Sequence, residues 1–238
     1  MWLAIDTASD RASLAVGGPG IAPLEQQISG ARRQAAALLP TVQDLLRQAG
    51  ASLADLEGLA VSDGPGSFTG LRVGASAAKA LVLARNLELW TAPSLMARAA
   101  GVARPGELVL AVSNALRGEV YAAAYRFFPD RIDTELAPSV QRPEELAAGG
   151  LEPALVAGEA PAPILAILER WCGRPVVGPP EGAPHAVRLL DLIGVSGGAR
   201  RVQNVGEWEP VYGRPAEAQA RWESVHGRPF PDSVGSPR

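Results

Sequence analysis

Two places along this chain carry side chains that chemistry could use. Asp6 and Thr7 close the opening apolar run Trp2-Leu3-Ala4-Ile5. A carboxylate and a hydroxyl there can face a phosphate or its Mg²⁺. Asp6 can equally bond its own backbone two residues on, as turn aspartates do. The second place is GPGSFTGLRVG, Gly64 to Gly74. Gly64-Pro65-Gly66 breaks the chain, and Ser67 is a good N-cap for a helix that starts at Phe68. A helix N-terminus can also hold an anion. The segment lacks the Gly-Lys-Ser/Thr of a Walker loop, so capping and packing are the simpler assignment.

Other catalytic chemistry finds few groups. His185 and His226 are the only histidines and stand 41 positions apart. A metal site of the zincin type needs two histidines at helical spacing, so no metal ligands are expected. Cys172 is the only cysteine; it ends an apolar helix and reads as core. A Ser-His-Asp triad would need one of the two histidines near Ser67 or Ser113, and no pattern supports one. No catalytic residues are assigned.

The 238 residues suffice for one large domain or two small ones with a real core. Hydrophobic content is 47% and charged content 20%, which fits a globular protein. The net charge is −3, so there is no basic footprint for direct tRNA or duplex binding. One cysteine excludes an intramolecular disulfide. The N-terminus has no basic n-region, and the apolar run Leu71 to Ala84 is short and carries Arg72 and Lys79. The expectation is a cytoplasmic protein without a membrane anchor.

The elements that position these residues read as two similar halves. Trp2 to Ile5 and Ala12 to Val16 form a hairpin around the turn at Asp6, and Leu24 to Ile28 adds a strand. Leu38, Leu39, Val42, Leu45, Leu46 and Ala49 mark an amphipathic helix that Gly50 ends, with Pro40 at its first turn or at a kink. Gly58 to Ser62 is a strand, Phe68 to Asn86 a helix, Leu89 to Thr91 a strand, and Ser94 caps a third helix. After Arg104-Pro105-Gly106 the pattern restarts. Leu108 to Ser113 and Glu119 to Phe127 form a second hairpin around Asn114 to Gly118. Pro143 begins a short helix, Ala154 to Ala157 is a strand, Ile164 to Trp171 a helix, and His185 to Val195 the last helix. Two hairpin-started α/β halves are the plan of the actin-like (ASKHA, ribonuclease H-like) fold, whose two turns face a cleft. The expected division is residues 1–104, residues 105–213 with a last helix that packs back on the first half, and a loosely ordered tail, 214–238.

The helix after Ser67 has a second property. Gly66, Gly70, Gly74 and Ala78 recur every four residues as a small-residue stripe, and polar residues are confined to Arg72, Ser76 and Lys79. So apolar a helix needs cover on a second side besides its sheet. That cover is either an intramolecular neighbour or a partner chain.

GPGSFTGLRVG resembles the signature of the TsaB (YeaZ) family. MWLAIDTAS resembles that family's opening strand and turn, Leu38-Leu39-Pro40 with Val42, Leu45 and Leu46 its first helix, and NALRGEVY (Asn114 to Tyr121) its second hairpin. Glu209-Pro210-Val211-Tyr212 is similar to its C-terminal EPVY. Asn114 and Leu116 replace the family's usual Asp and Arg, Gln34 stands where a histidine is common, and Glu223 to Arg238 extend past the usual end.

The resemblance implies an actin-like fold and a non-catalytic scaffold or activator in threonylcarbamoyl modification of the adenosine beside the tRNA anticodon. The implied partners are a TsaD-like paralogue and a TsaE-like ATPase, with a homodimer when alone and tRNA contacted only indirectly. No cofactor is implied beyond ATP at a shared interface. The interface would use the two N-terminal helices: Leu39, Val42 and Leu46 on the first, and Gly66, Ser67, Phe68, Thr69, Gly70, Leu71, Val73, Gly74 and Ala78 on the second. The competing reading is an enzyme, either a glycoprotease-like peptidase or an actin-like-fold protein with a nucleotide at Asp6 and Thr7.

Overall fold

The computed structural model describes residues 1–18, 20–214 and 225–226. The first sheet begins with the strands β1 (Trp2–Asp6), β2 (Arg11–Gly18) and β3 (Ile21–Ser29). Helix α1 (Ala31–Gln48) crosses to β4 (Gly58–Ser62), and α2 (Phe68–Arg85) leads to β5 (Glu88–Ala92). After α3 (Ser94–Ala100) the pattern recurs in β6 (Leu108–Asn114), β7 (Val120–Phe127), β8 (Ile132–Gln141), α4 (Pro143–Ala148), β9 (Leu155–Glu159) and α5 (Ala162–Cys172). Helix α6 (Val187–Asp191) and the short strand β10 (Arg200–Arg201) follow.

The two sheets share one topology. The first is ordered β10-β5-β4-β1-β2-β3 and the second β8-β7-β6-β9. In each, a hairpin strand lies between its antiparallel partner and a parallel strand that arrives by a helical crossover: β1 between β2 and β4, β6 between β7 and β9. This is the actin-like α/β plan, with two subdomains that each start on a β-hairpin.

Strand periodicity builds the layers. Leu3, Ile5, Leu14, Val16, Leu59 and Val61 point to the outer face of the first sheet, where Leu38, Val42, Leu45 and Leu46 of α1 and Ala75, Ala78 and Val82 of α2 cover them. Their strand neighbours Ala4, Ala15 and Ala60 point inward, into a core shared with α3, α6 and Val109, Ala111, Ala123 and Tyr125 of the second sheet. The outer face of the second sheet (Leu110, Val112, Ala122, Ala124) lies under Leu146 of α4 and Ile164 and Leu168 of α5. The order is therefore α1/α2, sheet, α3/α6, sheet, α4/α5.

Several sequence expectations shift in detail. Helix α1 starts seven residues before the expected Leu38, which leaves Pro40 inside it. Pro40 and Ala36, whose carbonyl Pro40 leaves without its helical partner, are both exposed, so water can satisfy that group. Ser94 does not cap α3: the N-cap is Pro93, and the Ser94 hydroxyl donates to Pro65 O at 2.6 Å. The last helix is only Val187–Asp191, because His185 is anchored by its side chain and Gly194 takes a positive φ of 77°. Helix α6 does pack on the first sheet, and β10 joins that sheet's edge. Strand β8 had no counterpart in the expected elements. Of the expected tail, Arg214 is packed, and residues 215–224 and 227–238 lie outside the described residues.

Candidate functional site

Both hairpin turns use the same device. The Oδ1 of Asp6 accepts from Ala8 N at 3.0 Å, and the Oδ1 of Asn114 accepts from Leu116 N at 2.9 Å. An Asx side chain thus closes each turn two residues on. The second turn then runs through left-handed backbone at Leu116 (φ 64°), Arg117 (54°) and Gly118 (80°). Glycine accepts this conformation freely; leucine and arginine adopt it at a cost.

The turns face one another across a cleft of about 890 Å³. One wall comes from Ala8 to Arg11 and the start of α2 (Gly66, Ser67, Phe68). The other comes from Ser113 to Arg117, Tyr121 and Glu159 to Pro161, and Tyr212 and Arg214 also line the space. Ser67 caps α2 as the sequence indicates, its Oγ accepting from Gly70 N at 3.2 Å, while Ser67 N donates to Ala8 O at 2.7 Å. Arg11, Arg117 and Arg214 bring positive charge to the cleft. Arg214 pairs with Glu119, and burial together with the nearby charge of Arg117 pushes its guanidinium below the usual arginine value.

Asp6 and Thr7, the two residues of the competing nucleotide reading, do not line this cleft. Both are buried, Asp6 with 0% exposure. The stripe on α2 covers them: an added Cβ at Gly66 would strike the carbonyl of Ala8, at Gly70 the carbonyl of Thr7, and at Gly74 the hydroxyl of Thr7. The close neighbour the stripe calls for is therefore the β1–β2 turn of the same chain. Gln34 braces this turn, donating from Nε2 to Ser9 O at 2.7 Å.

Burial pushes the Asp6 carboxyl above its ordinary value of 3.8, against the pull of Ala8 N, the nearby Ser62 hydroxyl and the charge of Arg98, and its Oδ2 makes no well-formed hydrogen bond. Arg98, buried in α3, donates to the carbonyl of Gly182 and reaches Glu159 at 3.5 Å. Burial also pushes Arg98 down, against the attraction of Glu159 and Asp6. These charges tie α3 to β9 and the loop before α6.

The proposed interface residues divide. Val42 and Leu46 of α1 and Gly70, Leu71, Gly74 and Ala78 of α2 are buried in this chain, and Gly66, Ser67 and Phe68 line the cleft. Val73 is half-buried; Leu39 and Thr69 are exposed. What the outer side of α1 and α2 offers instead is Leu39 at 51% exposure and Leu83 at 67%, beside exposed Thr69, Arg72, Ser76 and Ala80. Leu83 escaped the sequence reading because the outer side is marked only by Arg72 and Ser76, and Leu83, on the same helical side, is apolar like the buried residues around it.

Catalytic groups are sparse. Among the described residues no group of three or more His, Cys, Asp or Glu is placed to hold a metal ion. His185 turns its Nδ1 to Glu25 at 2.8 Å and its Nε2 to Pro180 O at 3.0 Å. The thiol of half-buried Cys172 lies 3.6 Å from Pro153 O. No helix among the described residues is long and apolar enough to cross a membrane.

Fold and cleft together define a two-lobed actin-like protein whose lobes meet through a common core. The family model for tRNA N6-adenosine threonylcarbamoyltransferase (TsaD) matches residues 3–165. The tRNA threonylcarbamoyladenosine biosynthesis protein TsaB of Escherichia coli is 40% identical over 126 residues, 52% of this chain and 54% of that protein. The chain spans about half the length of the curated relatives it matches. YeaZ from Pseudomonas aeruginosa superposes with a TM-score of 0.69 at 30% identity, over 81% of this chain and 90% of that one. An uncharacterized protein with similarity to peptidase YEAZ, from the same organism, gives 0.72 at 28% identity over 90% and 99%. The chain belongs to the TsaB (YeaZ) family.

Proposed function

We propose that this protein is a non-catalytic scaffold or activator subunit in threonylcarbamoyl modification of the adenosine next to the tRNA anticodon, docking a TsaD-type partner on the outer side of α1 and α2. The observation that carries this reading is the exposure of Leu39 and Leu83, at 51% and 67%, on the two helices that cover the N-terminal sheet. Each is a large apolar side chain left in water on a helix that covers the sheet, which favours a protein neighbour at these helices. The matches to TsaB and to the TsaD family model supply the pathway. In this reading the chain pairs with itself when alone, a TsaE-like ATPase joins the complex, and tRNA is met through the partners. The chain holds no nucleotide of its own, and ATP would bind only at a surface that a partner completes. Sealing of Asp6 and Thr7 beneath Gly70 and Gly74 supports this.

Leu39→Arg and Leu83→Arg test it. Each places a charge on an exposed position, so the fold should stay within about 0.5 kcal/mol of the parent. Co-purification with a TsaD-type threonylcarbamoyltransferase should fall sharply, and the modification with it. If both variants assemble and modify tRNA as the parent does, this docking surface is wrong. Substitutions at Gly70 or Gly74 are unsuitable, because they would strike Thr7 and disturb the fold itself. Calorimetric titration of the isolated chain with ATP addresses the enzyme reading; micromolar affinity would favour it.

A further inference from the structure

The segment Trp208 to Arg214 touches both the α2 side of the first lobe and the cleft-side turn of the second. Its first half is fixed on the first lobe. Trp208 is buried in the core beneath α1 and α2, Glu209 pairs with Lys79 of α2 at 2.7 Å, and Val211 N donates to Asp63 O at 2.6 Å. Gly64, at φ 105°, makes room for this crossing, since a Cβ there would strike the carbonyl of Val211. The Tyr212 ring then lies on Phe68 at 4.7 Å between centroids, and the Arg72 guanidinium sits 4.1 Å over Phe68 and 5.9 Å from the Tyr212 ring. Its second half is held by the second lobe. Tyr121 OH donates to Tyr212 O at 3.4 Å, Gly213 fits between Tyr121 and Pro65, and Arg214 pairs with Glu119 at the end of the β6–β7 turn.

We infer that Trp208 to Arg214 is a latch that couples docking on α2 to the position of the β6–β7 turn across the cleft. The inference rests on the docking surface proposed above. Arg72 is exposed on that surface yet covers the two rings that hold the latch. A partner that settles on α2 restrains Arg72 and Phe68, and through them Tyr212 and Arg214. The turn at the far end has left-handed Leu116 and Arg117, so its conformation depends on what surrounds it. By linkage, whatever factor docking contributes to latch closure must return as the loss of docking affinity when the latch is broken.

Peptide-resolved hydrogen exchange on the full chain reads this directly. In the free protein, Tyr212→Ala should speed exchange across Asn114 to Glu119 by about tenfold, within the usual range of such couplings. Arg214→Ala, which frees only the far anchor, should do the same with the Phe68 contact intact. Tyr212→Phe keeps the ring and the accepting carbonyl and should behave as the parent. Unchanged exchange at that turn in both alanine variants would overturn the latch, whether or not any partner binds. A TsaD-type threonylcarbamoyltransferase then supplies the second arm. Its binding should protect the same turn in the parent and be about tenfold weaker to Tyr212→Ala. If it binds the parent without protecting the turn, the coupling fails while the docking surface stands. If it does not bind the parent, the docking surface and the coupling fail together, and a latch seen in the free protein remains only a tie between lobes.

Discussion

Asp6 carries a carboxylate that could face a phosphate, but in the fold it closes a turn and is buried. Its Oδ1 shapes the turn by accepting from Ala8 N, while its Oδ2 sits buried without a well-formed hydrogen bond. Burial holds its folded-state value above 3.8. Between 3.8 and that higher value the native state keeps a proton that the unfolded chain has released. The native state thus binds more protons there, and stability falls as pH rises through the window. Asp6→Asn keeps the Oδ1 acceptor and cannot ionise. In chemical denaturation at rising pH above 3.8, the parent should lose stability relative to the variant, with the variant at least as stable at neutral pH. Equal slopes for the two proteins would show that Asp6 ionises as easily in the fold as outside it.

At the scale of the element, α2 sets two effects against each other. Gly70→Ala should improve an isolated helix by about 1 kcal/mol. In the fold, the new methyl meets the carbonyl of Thr7, which belongs to backbone and cannot rotate away. Overpacking of this kind costs about 1–3 kcal/mol, so net destabilisation is expected in thermal unfolding. Ser67→Ala, which only removes the cap to Gly70 N, should cost about 1 kcal/mol. A stabilised Gly70→Ala would mean that the turn yields and the stripe is not filled by it. The stripe was legible in the sequence, but its occupant was not, because Thr7 and Ala8 come from a distant segment. Both hairpins, the crossover helices and the cap at Ser67 were legible too, from alternation and turn residues. Strand β8 was not: its edge position leaves most residues half-exposed or exposed, and Pro138 interrupts its pattern. The cleft's arginines likewise come from β2, the second turn and the C-terminal segment, with no local signal to join them.

The whole molecule is held by its middle layer. Ala4, Ala15 and Ala60 from one sheet and Val109, Ala111 and Ala123 from the other meet α3 and α6 in a single core, where small side chains let the layers approach. Three hydrogen bonds fix the start of α6, which belongs to the second half of the chain, on the first sheet: His185 and Val187 N both reach Glu25 of β3, and Ala186 N donates to Ser13 of β2. The division expected at residue 104 separates two topological repeats that share one core, and from that core we predict that they fold as one unit. A fragment of residues 1–104 would lack α6, the edge strand β10 and Trp208, and would expose Leu95 and Met96 of α3 to water. Apolar burial is the main favourable term in folding, so this fragment should lack fixed tertiary packing and bind a hydrophobic dye. Mixing it with residues 105–238 should restore the native near-ultraviolet signal. Of the five tryptophans, Trp2, Trp90 and Trp208 belong to the first lobe and Trp171 to the second, while Trp222 lies outside the described residues and would be replaced by Phe for this measurement. If the shared core governs unfolding, tryptophan fluorescence and far-ultraviolet dichroism should report one coincident transition. A stable fragment 1–104, or a second transition confined to Trp171, would show instead that each sheet with its outer helices stands alone.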